Sequence, residues 1–308
     1  MNPTPILHHY PLSPFSEKLR LIFGFKRLAW RSVLIPDMMP KPDVLALTGG
    51  YRKTPILQLG ADIYCDTALA ARVIDALQPE PPLFPASTPL APALAQWADF
   101  TLFWQAIVVS MQPAGRATLF AGRSMASAQA FAADRAGFTA GFKRPTFADS
   151  VVQLQAALAM FDAQLGQQPW LQGSQPSVAD FSVYHCLWFV QRAGVAEPLF
   201  APHAALRGWL ARMADFGHGP SDELGSAEAV AIAAAGTPAA VAVQPGLGFE
   251  AGQPVTVAAT DYGCDPVAGT LVGLSADSVT VRRVDERAGV VQVHFPRAGF
   301  QILKDVKE

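Results

Sequence analysis

Two short segments constrain this chain more than any other feature of its sequence. Residues 10–20 read Tyr-Pro-Leu-Ser-Pro-Phe-Ser-Glu-Lys-Leu-Arg, so Ser13 precedes Pro14 at the point where a strand-like run gives way to a helical one. Proline is favoured at the first position of a helix, and serine is favoured just before it. Residues 54–55 read Thr-Pro directly ahead of the apolar run 56–59. The two segments predict a hydroxyl at a helix N-terminus and a proline at the start of another strand.

Composition sets limits on the class of protein. The chain has 308 residues, of which 51% are hydrophobic and only 16% charged, which predicts a large buried core or an apolar subunit interface. Its net charge is −2 and like charges do not cluster, so the basic patch that is typical of a nucleic-acid-binding protein is missing. The start of the chain does not resemble a leader peptide, and no apolar run reaches the roughly 18 residues of a membrane span. We therefore expect a soluble cytoplasmic protein.

The cysteines give no indication of a metal or redox site. Cys65, Cys186 and Cys264 are far apart, form no C-x-x-C motif and have no histidine at a spacing suited to zinc. We expect three reduced thiols and no bound metal.

The order of helical and strand-like segments divides the chain into three parts. Residues 4–78 follow the order β-α-β and then β-β-α, and a proline-rich linker follows at 79–92. Residues 93–215 are mostly helical, although 113–145 carry scattered glycines and alanines without a clear period. The helix predicted over 177–193 has the clearest boundaries, with a capping box at its start and Gly194 at its end.

The composition changes after residue 216. A short helix is predicted over 226–235, and five short strands separated by turn residues are predicted between 254 and 303. The expected fold is α+β, with an N-terminal domain at 1–80, an all-helical domain at 90–235 and a small β-barrel or SH3-like module at 245–308.

Four motifs in this order resemble the cytosolic glutathione transferase family over residues 5–235. They read Ser13-Pro14-Phe15-Ser16, Lys53-Thr54-Pro55-Ile56-Leu57, Asp66-Thr67, and Trp170-Leu171-Gln172-Gly173 through Ser177-Val178-Ala179-Asp180-Phe181. Each motif alone is weak, but four in the right order are fairly specific. The resemblance implies a thioredoxin-like N-terminal domain followed by an all-helical domain. It does not extend to residues 245–308.

The resemblance implies that Ser13 stabilises the glutathione thiolate. A free thiol has a pKa near 8.5, so a hydrogen bond to sulfur at the positive end of a helix raises the ionised fraction at neutral pH. A serine before proline is also an ordinary helix N-cap without any catalytic role. Ser16 and Tyr10 are the alternative sulfur contacts.

The remaining motif residues are expected to hold glutathione. By resemblance Pro55 follows a cis peptide bond, so that the backbone of Thr54 pairs with the glutathione cysteine as an added strand would. Asp66 and Thr67 are expected to bind the ammonium and carboxylate of the γ-glutamyl group. Lys53 is the candidate for the glycine carboxylate. By the same resemblance, Phe15 is also expected to contact glutathione.

The electrophile pocket is predicted between the two halves of the chain. Phe103 and Trp104 lie on the first long helix of the second half, which borders this pocket in the family, and Tyr10 is added from the first half. An aromatic stripe at helical spacing is also compatible with an ordinary core.

The resulting hypothesis is a homodimeric glutathione transferase that conjugates the glutathione thiolate to an apolar electrophile. Glutathione acts as co-substrate, and no tightly bound cofactor, metal, membrane or nucleic acid is expected. Without cysteine at position 13 or 16 the chain offers no sulfur for a mixed disulfide, which disfavours thiol–disulfide exchange. Two alternatives stay open, because fold does not fix function. One is a non-catalytic glutathione- or protein-binding protein, and the other is a glutathione-dependent isomerase or dehalogenase.

Overall fold

The computed structural model describes residues 3–304. The first part of the chain contains β1 (Ile6–His9), α1 (Pro14–Lys26), β2 (Trp30–Leu34), α2 (Pro42–Thr48), β3 (Ile56–Leu59), β4 (Asp62–Cys65) and α3 (Thr67–Leu77). Strand β1 runs parallel to β2 and antiparallel to β3, and β3 runs antiparallel to β4. This is the thioredoxin-like order β-α-β, β-β-α that the sequence predicts, with helix α2 between the two parts as an addition that the sequence analysis missed.

A helical half follows the proline-rich linker. It comprises α4 (Ala91–Trp97), a π-helical turn (Ala98–Leu102), α5 (Phe103–Ser110), α6 (Pro113–Leu119), α7 (Met125–Phe138), α8 (Phe147–Leu165), α9 (Val178–Arg192), α10 (Glu197–Phe200) and α11 (Ala204–Ala214). Helix α9 lies at the centre, and its N-terminus carries the predicted capping box of Ser177 and Asp180. The buried Asp180 carboxylate also accepts hydrogen bonds from the Leu171 N–H and the Trp209 indole, so it fixes two neighbouring segments to this helix. No helix within residues 3–304 is long and apolar enough to cross a membrane.

Residues 221–235 lie with the sheet rather than with the helical half in which the sequence analysis placed them. Strand β5 (Ser221–Glu223) pairs in parallel with β2. Helix α12 (Ser226–Ala235) buries Ala229, Val230 and Ala233 in a hydrophobic core that it shares with α2. The small apolar side chains of α12 allow this close packing, and a linear pattern of alanines does not specify which neighbour they meet.

The predicted C-terminal strands are present as β6 (Pro254–Ala259), β7 (Val267–Leu274), β8 (Ser278–Asp285), β9 (Gly289–Pro296) and β10 (Phe300–Lys304). We call residues 254–304 the C-terminal module. Strand β9 pairs in parallel with β4, so the module and the thioredoxin-like strands form one ten-stranded sheet with the order β10-β6-β7-β8-β9-β4-β3-β1-β2-β5. At this junction the rings of Tyr64 and His294 stack at 4.4 Å, and His294 Nε2 lies 2.8 Å from Asp62 Oδ1.

The module and the N-terminal strands share one hydrophobic core. Leu271 and Val293 of the module belong to the same buried cluster as Ile6 and Ile63 of the thioredoxin-like unit. A second cluster, on the other face of the sheet, joins α1 and α3 to the helical half. The module is therefore part of the folded body rather than an independent appendage.

We predict that Leu271→Ala lowers the free energy of unfolding by about 2–5 kcal/mol, the usual cost of a cavity left by a buried leucine. All six tryptophans precede residue 210, so their fluorescence reports on the rest of the chain. We monitor urea unfolding by tryptophan fluorescence and by far-ultraviolet circular dichroism. If the core is shared, Leu271→Ala lowers the transition midpoint of both signals by the same amount. Val284→Ala is the control, because Val284 is 77% exposed and its loss costs less than about 0.5 kcal/mol. If the midpoint of the fluorescence transition in Leu271→Ala equals that of wild type, the module unfolds independently of the rest of the chain.

Candidate active site

One cavity of about 710 Å³ lies between the thioredoxin-like strands, the helical half and the C-terminal module. Ten residues that the sequence analysis assigned to the site all line it, although 94 positions separate the first from the last in the chain. They are Tyr10, Ser13, Phe15, Lys53, Thr54, Pro55, Asp66, Thr67, Phe103 and Trp104. Within residues 3–304, no group of three or more histidine, cysteine, aspartate or glutamate side chains is arranged to hold a metal ion.

Ser13 is both the N-cap of α1 and part of the cavity wall. Its Oγ accepts a hydrogen bond from the Ser16 N–H at 3.2 Å and donates to the Thr54 carbonyl at 3.5 Å. The second distance is at the outer limit of a hydrogen bond, so the hydroxyl proton is weakly held and can be redirected to a ligand atom. Ser16, the alternative sulfur contact, is buried and does not contribute to the cavity lining.

The turn before β3 has the predicted backbone geometry. The Thr54–Pro55 peptide bond is cis. The side chain of Thr54 is held in place, because its Oγ1 accepts a hydrogen bond from Lys41 Nζ at 3.1 Å.

A second helix N-terminus faces the same cavity. Asp66 caps α3, and its Oδ1 accepts the Ala68 N–H at 2.8 Å. It has φ = 72° and ψ = 140°, a backbone conformation that residues with a side chain rarely adopt. Burial raises the pKa of the Asp66 carboxyl, and the Ala68 N–H and the charge of Lys53 offset only part of that effect. The adjoining Thr67 hydroxyl accepts a hydrogen bond from Lys18 Nζ at 3.1 Å.

The lysine that binds the Thr67 hydroxyl is itself part of a buried ion pair. Lys18 Nζ lies 2.7 Å from Asp99 Oδ2, and His185 Nε2 lies 2.9 Å from the other carboxylate oxygen. Although burial alone raises the pKa of the Asp99 carboxyl, Lys18 and His185 bring it below its usual value. The Lys18 and Asp99 side chains are only 1% and 10% exposed, so this pair connects α1 to the helical half inside the protein.

Lys53, the predicted partner of the glycine carboxylate, already has a carboxylate partner. Its Nζ lies 2.6 Å from Asp261 Oδ1, and the two side chains are 13% and 12% exposed. The same ammonium group sits 4.2 Å from the centre of the Tyr262 ring. Both partners belong to the C-terminal module. Asp261 lies 208 residues from Lys53, so no local sequence pattern indicates this pairing.

Lys41 is a lysine that the sequence analysis missed. It lines the cavity and is 3% exposed, and its amine has no carboxylate partner within ion-pair distance among residues 3–304. Burial lowers the pKa of Lys41 from 10.5 to about 8, and the nearby charge of Arg135 acts in the same direction. Its position between Pro40 and Pro42, in a loop of fixed shape, is the only sequence feature that distinguishes it.

Aromatic side chains form the rest of the wall. Phe15 packs on Phe103 with ring centres 4.7 Å apart, and Trp104 lies beside Phe103. Helix α7 adds Phe131, Arg135 and Phe138 from the segment that the sequence left unassigned. Arg135 Nη2 donates to the hydroxyl of Tyr10 at 3.4 Å, which orients Tyr10 at the edge of the cavity.

Comparison with known proteins identifies the family. The N-terminal domain model of glutathione S-transferases matches residues 7–82, and the C-terminal domain model matches residues 125–212. A solved GST-like protein from Pseudomonas syringae is 40% identical, covers 98% of this chain and 99% of its own, and superposes with a TM-score of 0.82. This chain belongs to the glutathione S-transferase family.

Other solved structures share the fold alone. Glutathione S-transferases from Rhodospirillum rubrum and Sinorhizobium meliloti are 17% and 16% identical, cover 68% of this chain and 88% of their own, and both have a TM-score of 0.52. No curated protein sequence matches the chain. The family models end at residue 212, before the C-terminal module. The match to the Pseudomonas protein covers 98% of this chain and therefore includes the module.

We predict that Asp99→Ala destabilises the protein by about 3–5 kcal/mol, because it leaves the charge of Lys18 buried without a partner. Urea unfolding gives the free energy directly. The double variant Lys18→Met, Asp99→Leu is the matched control, since replacing both charges by apolar groups costs much less than breaking the pair. A loss below about 1 kcal/mol for the single variant would show that water reaches and solvates Lys18.

Proposed function

We propose that this protein is a glutathione transferase in which Ser13 stabilises the glutathione thiolate. The observation that supports this most strongly is the convergence of two helix N-termini, those of α1 and α3, with the Thr54–Pro55 turn on a single cavity. Members of this family use glutathione as a substrate. An anion is favoured near a helix N-terminus, where N–H groups and the helix dipole both point toward it.

The reaction follows from the position of Ser13. The hydroxyl turns from the Thr54 carbonyl to donate to the glutathione sulfur, which lowers the pKa of the thiol and releases its proton to solvent. A lone pair on the thiolate then forms a carbon–sulfur bond with the electrophile. In a substitution the bond to the leaving group breaks and that group departs with its electron pair. In an addition to an enone the thiolate attacks the β-carbon, the C=C π bond breaks to give an enolate, and the α-carbon then takes a proton from water.

The remaining groups fit the other parts of glutathione. The backbone of Thr54 pairs with the cysteine, and the N-terminus of α3 with Thr67 takes the γ-glutamyl carboxylate, whose ammonium faces Asp66. For the glycine carboxylate we propose Lys41 in place of Lys53. Lys53 is already neutralised by Asp261, whereas Lys41 presents a buried amine next to Thr54.

The family generally dimerises, so we propose a homodimer as well. A cytoplasmic location stays a prediction from the sequence. The proposed electrophile is an apolar molecule.

Removing the Ser13 hydroxyl should reduce turnover without removing the helix. We expect Ser13→Ala and Ser13→Gly to lower kcat/KM for a panel of aryl halides and enones by about 10- to 100-fold, the value of a hydrogen bond to a charged atom. The ultraviolet absorbance of bound thiolate should titrate at a higher pH in both variants. Glycine serves as a helix N-cap almost as well as serine, whereas alanine costs about 1 kcal/mol, so Ser13→Gly separates catalysis from capping.

The outcomes distinguish the alternatives. Equal loss of turnover in both variants supports a catalytic hydroxyl. A loss confined to Ser13→Ala shows that Ser13 only caps α1. Wild-type protein that binds immobilised glutathione but converts none of the electrophiles is a binding protein on the same scaffold.

The assignment of Lys41 predicts a pH dependence. A lysine whose pKa is lowered to about 8 carries its charge below that pH and loses it above. The affinity for S-methylglutathione, which has no thiol to titrate, should therefore fall about tenfold between pH 7 and 9. Lys41→Arg keeps the charge throughout and should remove most of that fall, as measured by isothermal titration calorimetry. An equal fall in wild type and Lys41→Arg would assign the titration to another group.

A further inference from the structure

The loop between β6 and β7, residues 260–266, forms a wall of the cavity that the glutathione transferase family models do not include. It projects from the strands of the C-terminal module and lies between the thioredoxin-like unit and helix α7. Asp261 and Tyr262 from this loop line the cavity together with Ser13 and Trp104. The site is thus built from three parts of the chain, and the third part is the one that lies outside the family models.

The loop is fixed on both sides. Toward the thioredoxin-like unit, Asp261 pairs with Lys53 at 2.6 Å and Asp265 lies 3.8 Å from Arg52. Toward the helical half, the Gly263 N–H donates to the Phe138 carbonyl at 2.9 Å. Gly263 has φ = 57°, and a Cβ at this position would come within 2.4 Å of the Phe138 ring, so only glycine permits this approach.

This anchoring holds the Tyr262 ring against the aromatic wall. The ring meets Trp104 edge to face, with centres 5.0 Å apart and planes at 84°, and it meets Phe138 in the same way at 5.4 Å and 85°. Lys53 stands over the Tyr262 ring with its charge paired to Asp261, and the Arg144 guanidinium lies 5.6 Å from the centre of the Trp104 ring. The result is an aromatic surface in which the Tyr262 ring is held nearly at right angles to the rings of Trp104 and Phe138.

We propose that Tyr262 is a specificity-determining residue that selects planar aromatic electrophiles for the thiolate at Ser13. This inference rests on the proposed glutathione transferase function. Aromatic rings attract one another through their quadrupoles when offset or edge to face, and this adds to the gain from burying apolar area. An aromatic electrophile that packs against the joined Trp104 and Tyr262 rings gains this term, whereas an aliphatic electrophile of equal size gains only from burial.

The test uses three glutathione conjugates and needs no turnover. S-benzylglutathione places a ring in the electrophile pocket, S-hexylglutathione places an aliphatic chain of similar size there, and S-methylglutathione leaves the pocket nearly empty. Their dissociation constants are measured by isothermal titration calorimetry for wild type, Tyr262→Leu and Tyr262→Phe. Leucine keeps much of the apolar volume without the ring, and phenylalanine keeps the ring without the hydroxyl.

We expect Tyr262→Leu to weaken S-benzylglutathione about three- to tenfold relative to S-hexylglutathione, since one aromatic contact is lost. S-methylglutathione affinity should stay within about twofold, which also shows that the variant is folded and its glutathione site intact. Tyr262→Phe should retain the wild-type preference for the benzyl conjugate. Val284→Ser, at the exposed end of the β8–β9 hairpin, is the control for a change elsewhere in the module.

Two results would overturn the inference and leave the proposed function standing. One is an unchanged benzyl-to-hexyl ratio in Tyr262→Leu. The other is an equal loss for all three conjugates, which would make Tyr262 a structural support of the whole site. If wild-type protein binds none of the three conjugates, the glutathione function itself is wrong and the inference fails with it.

Discussion

The parallel pairing of β9 with β4 is the interaction on which the arrangement of this site depends. Without it β4 would be an edge strand with a row of unsatisfied N–H and C=O groups, which proteins generally cover or pair. Here the register that matches Tyr64 with His294 extends the sheet by five strands. The same register fixes the module beside the cavity and brings the loop at 260–266, together with Phe300 of β10, next to Lys53.

The electrostatics of the cavity depend on which cations already have partners. Burying a charge is costly unless it is paired, and Lys18 and Lys53 meet this condition through Asp99 and Asp261. Lys41 does not, and its lowered pKa is the physical consequence. A buried amine with two donors left over is better suited to receive a ligand carboxylate than a lysine whose charge is already neutralised.

Local features of the sequence were sufficient to predict the thioredoxin-like unit, helix α9 and the strands of the module. Proline at a helix start, the capping box at Ser177 and strand-like runs between turn residues all act over a few positions. Helix α7 could not be predicted, since it buries none of its residues and has no apolar period. The roles of Lys41, Asp261 and Tyr262 also remained hidden, because each depends on contacts between segments far apart in the sequence.

The module changes what the shared scaffold can do. In a cleft between two parts, an electrophile can approach from any open side, and specificity depends on side chains of the two walls. A third wall, anchored to both parts by Asp261 and Gly263, removes one side of that approach and adds a ring whose orientation is fixed. Both anchors are short polar contacts rather than a flexible hinge, so we expect the wall to limit the shape of a ligand before it binds. Under the proposed function, selection comes from this preformed shape, with little ordering left to occur when a ligand enters.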